Sequence, residues 1–304
     1  MDYITIIATH LNLGSSQVEK TIELLEGGAT VPFIARYRKE ATGNLNEVQI
    51  AAIRDILLKL KEIDKRREAI MQSIEQQGKM SDDLHDKLMK AESLTELEDL
   101  YMPYKPKRKT RATMAIERGL EPLANELMKQ YKCDVELLAE KYIHPEKKVE
   151  SAADALAGAR DIIAERASED LQARNKVRNI FKRTAMLMSK MAKGKEEEAG
   201  KYKSWFDWKE SAMRAPSHRI LALFRGEDEG MLSVKIQPED DTQAVERLER
   251  QFVHGNCEAS EQVALAVGDG YKRLLAPQVE TEFRNILKEK ADKEAIRVFA
   301  ENLR

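Results

Sequence analysis

The chain has 304 residues, enough for one large domain or two of ordinary size, and its 34% charged and 6% aromatic side chains are typical of helix-rich globular proteins. Its 51 Lys and Arg nearly balance 53 Asp and Glu, for a formal net charge of -2, so no global basic field marks it for polyanions. Cys133 and Cys257 stand too far apart for a disulfide framework or a zinc site, no apolar run approaches the roughly 20 residues that cross a bilayer, and Met1-Asp2-Tyr3 opens no export signal, so a cytoplasmic location is expected.

Apolar periodicity predicts a first helix over Tyr3 to Leu13 and a second from Ser15 to the Gly27-Gly28 pair. The run Gly28-Ala-Thr-Val-Pro-Phe-Ile-Ala-Arg-Tyr-Arg-Lys-Glu-Ala-Thr-Gly43 follows. Its Pro32 and Gly43 predict a fixed, packed turn with Arg36 paired internally; contact of Arg36, Arg38 and Lys39 with phosphate or a partner is the alternative. Asn44 with Glu47 reads as a capping box, and no Gly or Pro interrupts the chain from there to Gln77, so one long helix stopped by Gly78 is predicted. Its Ile53, Ile56, Leu60, Ile63, Ile70 and Ile74 recur at alternating spacings of three and four, with Arg67 the one polar break. That seam predicts pairing with another helix, of this chain or of a partner. Ser81 caps a helix to Met89, and Ser93 with Glu96 caps another that Pro103 ends.

A basic loop comes next, inside the run Leu97-Glu-Asp-Leu-Tyr-Met-Pro-Tyr-Lys-Pro-Lys-Arg-Lys-Thr-Arg-Ala112. Pro103 and Pro106 hold it extended, so Lys105, Lys107, Arg108, Lys109 and Arg111 fan out instead of stacking on one helical face, an arrangement that can follow phosphates. A solvated loop paired with Glu96, Glu98 and Asp99 is the plainer reading, with Tyr101 and Tyr104 as its anchors.

These two runs resemble the N-terminal signature of the Tex family, bacterial transcription accessory proteins related to a eukaryotic elongation factor, nearly position for position. The resemblance extends through the chain and sharpens again at Pro216-Ser-His-Arg-Ile-Leu-Ala-Leu-Phe-Arg-Gly226. It implies a helical region that, in such proteins, precedes an RNase H-like domain, helix-hairpin-helix units and an OB-fold RNA-binding domain. None of those is in this sequence, and the uncapped end of the last predicted helix at Arg304 suggests truncation before the first of them.

Beyond the loop, helices are predicted at Met114 to Arg118, Glu121 to Tyr131, Val135 to Tyr142, Ala152 to Ala167 and Glu169 to Arg183. The last two, with Ser168 as N-cap between them, suggest a helix-turn-helix-like pair. From Leu171 to Lys195 the chain carries no carboxylate, and Arg174, Arg178 and Lys182 recur every four residues, with Arg183 adjoining. Either a phosphate-facing helix or one paired to acidic neighbours has this pattern. Strands are predicted at Met186 to Met191, Tyr202 to Phe206 and Met231 to Gln237; the aromatics Tyr202, Trp205, Phe206 and Trp208 read as core anchors before base-stacking platforms. Helices over Thr242 to Val253, Ser260 to Leu275 and Pro277 to Arg304 complete the chain.

The expectation is therefore a mainly α, multi-helical array with a long helical hairpin, a helix-turn-helix-like element and a small β-sheet insertion, divided into residues 1–125 and 126–304. No phosphate loop, zinc spacing or nucleophile-base pair is found, so neither a catalytic site, a metal nor a cofactor is expected. The favoured role is a non-catalytic scaffold in transcription that contacts RNA or DNA with little sequence preference. The alternative is a protein-interaction module whose Ile53 to Ile74 seam docks on polymerase, ribosome or C-terminal domains of the same protein.

Overall fold

A computed structural model describes residues 2–105, 109–195 and 198–302. The chain forms two compact units, residues 1–106 and 107–304. The division falls in the proline-rich basic run and not near residue 125, because the helices just after that run pack on the central helix of the second unit.

The first unit contains α1 (Tyr3–Leu11), α2 (Ser15–Glu26), α3 (Val31–Tyr37), α4 (Glu47–Gln76), α5 (Asp82–Lys90) and α6 (Leu94–Tyr101). Helix α4 is its spine, about 45 Å long at 1.5 Å per residue. Ile50, Ile53 and Leu57 on its N-terminal half pack with Ile7, Val18, Ile22, Val31 and Ile34. Ile63, Ile70 and Ile74 on its C-terminal half form a second core with Leu84, Leu88, Leu97 and Tyr101. The heptad-like seam is thus filled from within this unit, which removes it as a docking face for a partner. The cap of α4 is Asn46, not Asn44: Asn46 Oδ1 accepts from the Gln49 amide at 2.9 Å, while Gln49 Oε1 accepts from the Asn46 amide at 3.0 Å. Asn44 instead takes a left-handed conformation in the preceding turn. Gly78, at φ 65°, ends α4 as expected, with the Lys79 amide returning to the Ile74 carbonyl.

The second unit comprises α7 (Arg111–Glu117), α8 (Glu121–Lys129), α9 (Val135–Glu140), α10 (Ala152–Glu169), α11 (Leu171–Thr184), β1 (Ala185–Met191), β2 (Trp208–Ser211), α12 (Ser217–Asp228), β3 (Leu232–Pro238), α13 (Thr242–Phe252), α14 (Glu258–Gly270) and α15 (Ala276–Asn302). The strands make one antiparallel sheet in the order β2-β1-β3, with Leu187 opposite Ile236. Residues Tyr202 to Trp205 belong to a 3-10 helix and not to a strand. Their aromatics turn to the core: Tyr202 is buried, and Trp205 meets Trp208 edge-on at 5.1 Å. Helices α14 and α15 are joined through a π-helical turn, Tyr271–Leu275, where the sequence suggests a break at Pro277. Buried Tyr271 anchors that turn by donating to Asp241 at 2.6 Å.

Helix α10 is the centre of this unit, packed by α7, α8, α9 and α14. Small residues on its surface let α14 come close. A Cβ added at Gly270 would lie 2.8 Å from the Ala164 carbonyl oxygen and 3.1 Å from its Cα. Backbone atoms cannot swing aside, so Gly270→Ala is expected to destabilise this unit by about 1–3 kcal/mol, against the roughly 1 kcal/mol that alanine contributes in an open helix. A rise in the urea midpoint would show that the crossing is looser than this.

Candidate nucleic-acid interface

Of the cations singled out by spacing, the structure separates those committed to internal partners from those left in solvent. Helix α11 begins after Asp170, whose carboxylate accepts from the Ala173 amide at 2.8 Å; Ser168, the expected cap, is buried inside α10. This start sets the rotation of α11. Ala173, Val177, Ile180 and Phe181 enter the core, and Arg174 is carried in with them to 3% exposure. Arg174 Nη2 donates to Glu282 of α15 at 3.1 Å, and Arg178 makes a two-pronged contact with the same carboxylate, at 2.6 Å from Nε and 2.9 Å from Nη2. The arginine stripe at four-residue spacing therefore faces α15. It does not form the open face of a recognition helix. Burial pushes the Glu282 carboxyl up, but the Arg178 hydrogen bonds and the charges of Arg178 and Arg174 outweigh it and hold the group below its ordinary range.

Lys182 and Arg183, in the last turn of α11, remain exposed, and no carboxylate partner is found for either among the described residues. Lys190 and Lys193 further on are also exposed. In the basic run, Lys105 is exposed at the end of the first unit, and Lys107 and Arg108 lie outside the described residues. Lys109 is exposed and sits 3.3 Å from Glu117. Arg111, at the first position of α7, lines an open cleft of about 410 Å³ with Arg160, Asp161, Leu265 and Asp269. Arg273 already binds both carboxylates of that cleft, at 2.8 Å to Asp161 and 2.6 Å to Asp269. Burial raises Asp161 in spite of Arg273 and Arg111.

Two of the acidic side chains expected to neutralise the loop are engaged elsewhere: Glu98 binds Arg66 at 2.6 Å, and Glu96 Oε2 accepts from the Glu92 amide. The loop anchors behave as expected, with Tyr101 buried and hydrogen-bonded to Ser73 at 2.8 Å, and with the Tyr104 carbonyl accepting from Gln77.

Spacing did not separate exposed from buried cations in one further place. Arg36, expected to pair internally, is exposed and has no ion pair among the described residues. Phe33 and Tyr37 beside it are 42% and 68% exposed. The signal was present: Val31, Ile34 and Ala35 make one helical face of α3, leaving Phe33, Arg36 and Tyr37 on the other.

These features define a mainly α-helical, two-unit protein with a small antiparallel sheet, whose described residues contain no helix able to cross a membrane. Residues 130–299 match the Tex central region-like family and residues 1–75 the Tex-like protein N-terminal domain, so the chain belongs to the Tex family of transcription accessory proteins. It is 42% identical to Protein tex of Bordetella pertussis, over 99% of this chain and 40% of that protein. It is 40% identical to the transcriptional accessory protein Tex of Neisseria gonorrhoeae, over 100% of this chain and 41% of the relative. The human S1 RNA-binding domain-containing protein 1 is 28% identical over 100% of this chain and 32% of its own length. The chain thus spans about two fifths of the bacterial relatives it matches.

Proposed function

We propose that this chain is a non-catalytic scaffold region of a transcription accessory protein that adds sequence-tolerant contacts to RNA or DNA. The observation that carries the reading is the pair Lys182 and Arg183, exposed and without a carboxylate partner among the described residues, in a stretch whose deeper arginines are paired with Glu282. Lys105 in the first unit and Arg111 in the second are further exposed cations. Lys107 and Arg108 of the same run lie outside the described residues. Contacts of this kind go to phosphate, hold a strand in place and carry no sequence information. One relative, the human S1 RNA-binding domain-containing protein 1, carries RNA binding in its name, which supports nucleic acid as the ligand class.

The test is anisotropy of a labelled single-stranded RNA and a duplex DNA titrated with the protein over a range of salt. Binding is expected to weaken steeply with salt, and Lys182→Ala with Arg183→Ala is expected to flatten the single-strand slope by about 1.4, at about 0.7 per phosphate contact. No saturable binding at low salt, or an unchanged slope when Lys105 and Arg111 are also replaced, would overturn the reading. Arg174→Ala is unsuitable for this purpose, because it removes a buried structural group.

A further inference from the structure

We infer that α3 and the turn after it form a docking site for an acidic protein segment that carries an apolar side chain among its carboxylates. The site is built from Phe33, Arg36, Tyr37, Arg38 and Lys39 in the first unit, and it is independent of the nucleic-acid reading, whose cations lie elsewhere.

Phe33 and Tyr37 sit one turn apart on the solvent face of α3, with ring centroids 5.4 Å apart and planes tilted by 45°. The Arg38 guanidinium lies over the Phe33 ring at 5.7 Å. A shallow depression of about 360 Å³ is lined by Arg36, Tyr37, Arg38, Lys39, Glu40 and Ala41. Three cations therefore face one carboxylate, and none of the three has an ion pair among the described residues. An unneutralised cationic rim around exposed aromatic surface complements a partner that is anionic at its edge and apolar at its centre.

The platform is rigid. Buried Thr42 donates to the Arg38 and Lys39 carbonyls, the Asn44 amide returns to the Lys39 carbonyl at 2.8 Å, and Gln17 Nε2 holds the Gly43 carbonyl at 2.9 Å. On the inner side, Val31, Ile34 and Ala35 are packed in the core. Little backbone freedom is left to lose on binding, which is the condition under which a small patch binds usefully. Tyr, Phe and Arg are also the residues enriched where binding energy concentrates in protein interfaces, with polar groups around them excluding water.

Ring geometry favours a protein over a nucleic-acid strand. Base stacking on a series of side chains needs open aromatic faces. Here the two rings are tilted against each other and Arg38 covers a face of Phe33, so the pair presents a compact apolar knob and not a stacked platform.

The experiment uses the whole 304-residue chain and a fluorescein-labelled peptide of aspartate and glutamate with Phe-Leu at its centre, read by anisotropy at low ionic strength. Saturable binding with a Kd below about 1 mM is expected, with at least about tenfold weakening when the peptide's Phe-Leu becomes Ala-Ala. Phe33→Ala with Tyr37→Ala is expected to weaken the peptide by a similar factor, and Arg36→Glu with Arg38→Glu to abolish binding. Lys182→Ala with Arg183→Ala should leave it unchanged. All these positions are exposed, so unaltered thermal unfolding accompanies each variant. The inference is overturned if the peptide does not bind, or if it binds equally well to the aromatic and charge-reversed variants. It is also overturned if the aromatic variant loses affinity for single-stranded RNA and not for the peptide, or if the patch variants change only the sedimentation of the protein alone, which would make the occupant a second copy. Loss of RNA binding in the Lys182 and Arg183 variant would leave this site untouched.

Discussion

Replacing Arg67 with alanine is expected to lower the stability of the first unit by about 3–5 kcal/mol, the range for breaking a buried ion pair from one side. Arg67 is the polar break in the apolar seam of α4, and it is 4% exposed. Its Nε donates to the Leu88 carbonyl at 2.9 Å and its Nη2 to the Ala91 carbonyl at 2.7 Å, while Nη1 pairs with Asp64. Those two carbonyls close the C-terminal end of α5, where no intrahelical donor is available and the helix dipole favours a cation. One guanidinium therefore completes α5, ties it to α4 and balances Asp64. Asp64 also accepts from the Tyr3 hydroxyl at 2.6 Å, and that hydrogen bond, with burial, pushes the Tyr3 phenol up to about 12.

Alanine would leave buried carbonyls without a donor and take the guanidinium away from a half-buried carboxylate. At about 4–8 °C per kcal/mol for a unit of this size, a fall of more than about 12 °C in its melting temperature is expected. Hydrogen exchange should show the loss of protection in α5 and in the C-terminal half of α4. Arg67→Met, which keeps most of the volume, should recover only part of the loss, because the unpaired groups remain. If the methionine variant were as stable as the parent, the hydrogen bonds of Arg67 would contribute nothing net and its role would be packing alone.

The second large effect is expected at Glu282. It is the shared partner of Arg174, which is buried, and of Arg178, and Glu282→Gln is expected to cost the second unit about 3–5 kcal/mol at neutral pH. The amide keeps one acceptor oxygen but no charge, which leaves two guanidinium groups facing each other across it. The loss must depend on pH in a definite direction. Because the folded carboxyl is held below its ordinary value, its contribution is fully present above the unfolded value of about 4.3 and is lost as pH falls through the lowered folded value. Urea midpoints of the parent and the glutamine variant should therefore lie apart at neutral pH and draw closer under acid, by the part of the gap that the lowered carboxyl accounts for. A gap that stays constant down to the acid limit would mean that the charge of Glu282 is not what holds the arginines.

Local signals in the chain carry far in the helical framework and stop short at the choice of partners. Ser81 and Ser93 cap the helices they were expected to cap, Gly78 stops α4, and the apolar alternation of Leu232, Val234 and Ile236 lies in β3. Such features depend on residues three or four positions apart. Errors of detail arise where two good candidates stand close together, as with Asn44 and Asn46, or Ser168 and Asp170. Both members of each pair can cap, and the packing of the helix decides which one is at its end. The 3-10 helix at Tyr202 was hidden for a related reason: aromatic residues suit a strand and a buried loop equally well.

The sequence by itself determined that this is a mainly helical protein of the Tex family, because caps, breakers and apolar periodicity are local and two long runs carry the family signature. Only the tertiary structure decided which cations face water. Arg174, Arg178 and Lys182 share one four-residue period, yet the first two meet a carboxylate 108 and 104 positions away while the third stays exposed. It likewise turned Phe33 and Tyr37 outward and Arg67 inward. The physical reason is the same in each case. A period places side chains on a face of a helix, but whether that face meets solvent, an acid or an apolar neighbour depends on elements distant in the chain, whose arrangement is set by burial of the core as a whole.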